Sequence, residues 1–157
     1  MTRPSRHQQA RRDVFVDSSG WLALLHVRDQ RHRDADLAIR SATAQRIPLF
    51  TTNLIIAEVH RLVLHRVGTA AAGLFLDRID ASKEVELEYA TAKHHTAARA
   101  WLRKLSDQTI TYADAVSFAA MDARGCRSAL SFDRDFVIAG FALFRASDPA
   151  RPGNRSR

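Results

Sequence analysis

Apolar residues along the chain gather in two kinds of run. Short runs rich in β-branched and aromatic residues occur at Asp13-Val-Phe-Val-Asp17, Ile47-Pro-Leu-Phe-Thr-Thr52, Ser128-Ala-Leu-Ser-Phe132 and Gly140-Phe-Ala-Leu-Phe144. Their length and composition predict buried strands, and Pro48 falls near a strand start, where the missing N–H is tolerated. Val85-Glu-Leu-Glu-Tyr89 alternates apolar and acidic residues, which predicts a strand with one wet face near a sheet edge. Between these runs the apolar spacing becomes helical. Helices are expected over Trp21–Val27, from the charged stretch after Arg28 to near Gln45, over Leu54–His65 with Gly68 closing it, and over 70–80. Two more are expected, over Thr91–Leu105 and over Tyr112–Arg124 with Gly125 ending it. Ser18 or Ser19, and one of Thr51, Thr52 and Asn53, supply the capping oxygens that helix starts favour. Strands alternating with helices call for a mainly parallel sheet covered on both faces.

The size of the chain, 157 residues with 46% hydrophobic and 26% charged, fits one globular domain with a real core. A single cysteine, Cys126, excludes a disulfide framework and a cysteine-based zinc cluster, and fits a reducing compartment. No apolar run has the length to span a bilayer and no signal-peptide pattern opens the chain, so a cytoplasmic soluble protein without a membrane partner is expected. The net charge of +7 belongs to the ends: residues 1–12 carry four arginines and no acid, and residues 145–157 carry four arginines against one aspartate. That leaves sixteen charges of each sign in between. The organisation expected is a basic extension over 1–12, a folded domain over 13–145 and a disordered tail over 146–157. The basic ends can attract phosphate or serve only solubility.

In open α/β sheets the ligand crevice lies beyond the carboxyl ends of the strands. Asp17 ends the first strand, Glu58 lies on the helix after the second, Asp114 in the first turn of the helix before the fourth, and Asp133 just after the fourth. Like charges in one cleft raise each other's pKa, so such a set stays ionised only if cations hold it. Oxygen-only donors select a hard ion, Mg²⁺ or Mn²⁺, over zinc. Each acid also has a plainer reading. Asp17 can cap the next helix, Glu58 can be a solvated helix residue, and Asp114 fits a capping box, Thr111-Tyr-Ala-Asp114. Asp133 and Asp135 can be turn residues. The seven histidines show no metal-ligand spacing; His94-His95 reads as a helix surface pair and Cys126 as a small buried residue. No phosphate-cradling glycine loop and no nucleophile elbow are present.

Four stretches in order resemble the PIN-domain ribonucleases, and within them the VapC-type toxins of bacterial toxin–antitoxin pairs. They are Val14-Phe-Val-Asp17-Ser-Ser-Gly-Trp-Leu-Ala-Leu, Thr51-Thr-Asn-Leu-Ile-Ile-Ala-Glu58-Val, Thr111-Tyr-Ala-Asp114-Ala-Val-Ser-Phe-Ala and Leu130-Ser-Phe-Asp133-Arg-Asp-Phe136. The resemblance implies a three-layer α/β/α sandwich on a central sheet of about five strands, with Asp17, Glu58, Asp114 and Asp133 binding Mg²⁺ or Mn²⁺ to cut RNA. Ser19 matches a hydroxyl residue two after the first acid. Ser131 stands where the family often has threonine, and Asp135 can assist or replace Asp133. A VapB-type antitoxin partner and a homodimer are implied as well. The competing readings are a PIN-like RNA-binding module without catalysis, a DNA-directed metal nuclease, and a fold in which the acids serve only as caps.

Overall fold

The computed structural model describes residues 12–146. The expected basic extension up to residue 11 and the tail from residue 147 lie outside the described residues. The chain runs β1 (Val14–Val16), α1 (Ser18–Leu25), α2 (His32–Ala44), β2 (Leu49–Thr52), α3 (Asn53–Arg66), α4 (Thr69–Ala81) and β3 (Val85–Glu88). It continues through α5 (Ala92–Lys104), α6 (Tyr112–Arg124), β4 (Ser128–Leu130), α7 (Asp135–Ile138) and β5 (Ala142–Leu143). The sheet order is β3-β2-β1-β4-β5 and every pairing is parallel. Strand order therefore reverses beside β1, which puts the crevice at the carboxyl ends of β1 and β4. Among the described residues no helix is long and apolar enough to cross a membrane.

Alternation along β1 sorts the core into two layers. Phe15 points with Phe50 and Ala129 toward α3, α6 and α7, whereas Val14 and Val16 share the other face with Leu49, Leu130 and the alanines Ala38 and Ala42 of α2. The first layer is built on rings: Phe15 meets Phe50 edge-on at 5.2 Å, and Phe118 meets Phe136 at 5.1 Å. Phe136 anchors α7, a single turn too short for periodicity to reveal, and thereby seats the loop that carries Asp133 and Asp135. Gly125 adopts the left-handed conformation expected at the end of α6, with φ 68°.

Several sequence expectations need correction. The first helix begins at Ser18 rather than Trp21, because Asp17 occupies the cap position. Thr52 is the residue that caps α3, its hydroxyl accepting from Ile55 N at 3.4 Å. The wet face of β3 is only partly wet: Glu86 is exposed, but Arg124 bridges it at 2.8 Å and also reaches Glu88 at 2.9 Å and buried Asp13 at 3.3 Å. That guanidinium lies 4.1 Å from the Phe50 ring centroid, so the end of α6 is clamped across the sheet face. His94 is not a surface residue. It is buried, its Nδ1 accepts from Thr91 N at 3.1 Å to complete the α5 capping box, and its Nε2 faces Glu88 at 3.2 Å. Cys126 is buried as expected, and burial pushes its thiol pKa up.

Close approach of α1 to β4 depends on Gly20, where an added Cβ would lie 2.6 Å from Leu130 O. That carbonyl also accepts Asp17 N at 3.1 Å. Backbone cannot yield as a flexible side chain would, so Gly20→Ala is expected to cost about 1–3 kcal/mol, the usual range for overpacking. Chemical denaturation of the purified variant measures this; a midpoint equal to wild type would mean the helix shifts freely.

Candidate active site

Asp17 is placed by the sheet itself, at the end of the central strand β1, and is 2% exposed. Its side chain makes no capping bond to α1. Instead Oδ2 accepts from Ser19 Oγ at 2.9 Å and from Ser131 Oγ at 2.9 Å. Each hydroxyl has one proton to give, and each accepts in turn from the loop after β4: Ser19 from Phe132 N at 2.9 Å, Ser131 from Asp133 N at 3.0 Å. The two serines thus fasten the end of β1 to the end of β4 through a carboxylate. Ser19 bonds to Asp17 instead of serving as the helix cap that its position allows. Asp17 Oδ1 is buried without any hydrogen-bond partner.

The other acids reach this rim from separate elements. Asp114 is buried at the start of α6, a helix in which every residue from Asp114 to Met121 is buried. Its Oδ2 accepts from Thr111 N at 3.1 Å and Thr111 Oγ1 at 2.6 Å, so the expected capping box is formed. Glu58 is half-buried on α3. Asp133 is exposed and its Oδ1 accepts from Asp135 N at 3.1 Å, the turn role that the sequence allows. Asp135 is half-buried at the start of α7.

These side chains act on one another through space. Burial pushes the Asp17 pKa up; Ser131, Ser19 and the Ser18 backbone oppose this, and the charge of Asp114 adds to the rise. Burial also raises Glu58, followed by the charges of Asp17 and Asp114, with the Ser18 hydroxyl pulling it back. Asp114 is raised by burial, lowered by its Thr111 bonds and raised by Asp133. Asp135 is raised by burial and then by Asp133 and Asp114. Among the described residues no three His, Cys, Asp or Glu side chains lie close enough together to hold a metal ion between them. The acids share a field rather than a single point. A buried anionic oxygen with no donor, in a set of oxygen-only groups that disfavour one another's ionisation, fits a hard divalent cation.

Comparison with known proteins identifies the family. A family model for the PIN domain matches residues 14–142, and the chain belongs to that family. It is 34% identical over 137 residues to the 23S rRNA-specific endonuclease VapC20 of Mycobacterium tuberculosis, a match that covers 84% of this chain and 98% of the relative. A crystal structure of Mycobacterium tuberculosis VapC20, described as a Sarcin-Ricin loop cleaving toxin, covers the same shares with a TM-score of 0.74. VapBC2 from Rickettsia felis, bound to a promoter DNA fragment, has a TM-score of 0.61 at 12% identity, covering 83% of this chain and 96% of that one. FitAcB from Neisseria gonorrhoeae has a TM-score of 0.55 at 14% identity, with coverage of 83% and 96%. These last two share the fold.

Raised carboxyl pKa values mean that the folded chain binds protons more tightly than the unfolded chain. Stability from these groups is therefore complete below the ordinary carboxylate range and is lost as pH rises through the raised folded values. In chelator, Asp17→Asn is expected to melt at or above wild type at neutral pH, with a margin that shrinks toward about pH 4. Millimolar Mn²⁺ should raise the wild-type Tm and leave Asp17→Asn unmoved. Thermal melts across pH, with and without Mn²⁺, check both; a wild-type Tm indifferent to Mn²⁺ would count against a cation at this rim.

Proposed function

We propose that this protein is a Mg²⁺- or Mn²⁺-dependent endoribonuclease, the toxin member of a VapBC-type toxin–antitoxin pair. The observation that carries the reading is Asp17, an ionisable group buried at the crevice with one oxygen held by two serines and the other left bare. Membership of the PIN family and similarity to an enzyme named for cutting 23S rRNA support RNA as substrate class, with ribosomal RNA the first to try.

Asp17 and Asp114 would be the principal cation ligands, with Glu58 and Asp133 holding its water shell or a second ion. Asp135, which shares the field of Asp114, stands ready to assist or replace Asp133. The cation, when bound, supplies positive charge to the phosphodiester and acidity to the attacking water. The chain's own residues do the positioning. Ser19 and Ser131 fix the rotamer of Asp17 and leave Oδ1 outside that grip, so the ligand is oriented before substrate arrives. Thr111 does the same for Asp114, holding Oδ2 and leaving Oδ1 free of those bonds. A cytoplasmic setting, a small antitoxin that silences the enzyme and assembly as a homodimer belong to the same proposal. A structural neighbour of the VapBC type supports such a partner.

The test is cleavage of ribosomal RNA and of a matched single-stranded DNA with Mg²⁺, Mn²⁺ or chelator. Wild type should cut RNA only with a divalent ion. Asp17→Asn should fold but lose more than about a hundredfold in rate, beyond what loss of an outer-shell partner costs, while Ser131→Ala should lose about 10–100-fold. Full activity of a folded Asp17→Asn variant would overturn the proposal, and preference for the DNA strand would reassign it to a DNA-directed nuclease.

A further inference from the structure

Acids at a cleavage site repel the polyanion they are to cut, so cations beside them must hold it. Three side chains at the end of β4 meet that need. Phe132 lies between Ser131, whose hydroxyl grips Asp17, and Asp133, and its own N–H bonds to Ser19. Its half-buried ring carries two guanidinium groups, with Arg145 Cζ 4.5 Å and Arg31 Cζ 5.4 Å from the centroid. Arg145 is locked by main-chain acceptors: Nη2 donates to Ser131 O at 2.7 Å and Nη1 to Phe144 O at 2.8 Å. Arg31 is exposed, and among the described residues its guanidinium is held by the ring alone.

The shared ring sets this pair apart from the other arginines of the fold. Like most described arginines, and unlike Arg124, Arg40 and Arg127, neither Arg31 nor Arg145 has a carboxylate of the described residues within salt-bridge distance. Burial lowers the Arg145 pKa, Asp34 raises it from further off, and Arg31 adds to the lowering, so the two cations sit within each other's field. Stacking on an exposed ring is a weak attraction, and here it sets two like charges side by side. Guanidinium groups on an aromatic platform present N–H forks suited to phosphate oxygens and a face suited to a base.

We propose that Arg31 and Arg145, gathered over the Phe132 ring, form a seat for a non-scissile phosphate of the RNA strand presented to the acids. The seat rests on the reading of the acids as an RNA-cleaving site, yet it can be measured without cleavage. The assay is the binding of a short fluorescein-labelled single-stranded RNA of mixed sequence to the full chain carrying Asp17→Asn, titrated over a range of salt concentrations. Adding Arg31→Ala should weaken binding about tenfold and reduce the slope of log Kd against log salt by about 0.7, the loss of one phosphate contact. Arg31→Lys should retain most of that slope. Arg31→Ala should move Tm little, since the side chain gives up only its contact with the ring and the hydrogen bond that Arg31 makes to Asp29 comes from its backbone N–H. In the otherwise wild-type enzyme KM should rise with kcat unchanged. Arg145→Ala is the harsher variant because it also strips Ser131 O of its donor, so Arg31→Ala and Arg31→Glu decide the matter if it fails to fold. A parental Kd and salt slope in Arg31→Ala overturns the seat. So does a loss confined to an acidic protein partner, which would make the pair a protein contact. Pair-dependent RNA binding by a protein that never cuts RNA would sustain the seat and defeat the nuclease reading instead.

Discussion

The grip of two hydroxyls on one buried carboxylate is the constraint around which this structure is arranged. Asp17 stands at the end of the central strand with almost no solvent, and Ser19 and Ser131 supply only one oxygen with donors. Removing a carboxylate from water is costly unless its charge is met. The hydroxyls meet part of that charge and transmit the pull of two backbone N–H groups from the loop after β4. The same bonds tie β1 to β4 at the crevice, so the local fold and the ionisation of Asp17 cannot be changed independently. Gly20 belongs to this arrangement, because only a residue without Cβ lets α1 come so near the Leu130 carbonyl.

The structural roles of the other acids leave room for the chemical roles proposed for them. Asp114 closes a capping box, but it does so with Oδ2 alone, and the hydrogen bonds fix the direction of the whole carboxylate. Asp133 braces the turn into α7 through Oδ1. A capping or turn bond to one oxygen is a way of holding the second oxygen still. For these residues the plain reading and the proposed one would fall on two atoms of the same side chain.

The strands, their parallel arrangement and the acids' placement at the rim can be read from sequence because they depend on local composition. Apolar runs such as Val-Phe-Val and Leu-Phe-Thr-Thr can satisfy their backbone only inside a sheet, and the alternating strand takes the edge at β3. Features that sequence does not reveal depend on contacts between distant segments. Helix α7 is one turn whose existence rests on Phe136 finding Phe15 and Phe118. His94 is buried because Glu88 from β3 comes to meet it, and Glu88 is drawn there by Arg124 across the sheet. Local sequence allows Ser19 as a cap, and only the family resemblance singles it out, because its acceptor, though two residues away, is shared with Ser131 far along the chain. A stretch of sequence the length of one helix holds no record of such partners.

Charge is sorted by need rather than by overall balance. Residues 13–144 carry equal numbers of acids and bases. Yet among the described residues Asp17, Glu58, Asp114 and Asp133 make no salt bridge, and neither do Arg31 and Arg145. Opposite charges could have paired at this spot, as Arg124 pairs with three acids elsewhere. They are held apart instead: Arg145 is fastened to carbonyl oxygens and Asp17 to hydroxyls, neutral groups that fix position without cancelling charge. Charge of both signs, held by neutral hydrogen bonds without pairing, is unfavourable in the free protein and would be relieved by a ligand bearing both signs. A divalent cation together with a nucleic-acid phosphate has that character, and that is the ligand pair which the proposed function and the proposed phosphate seat call for.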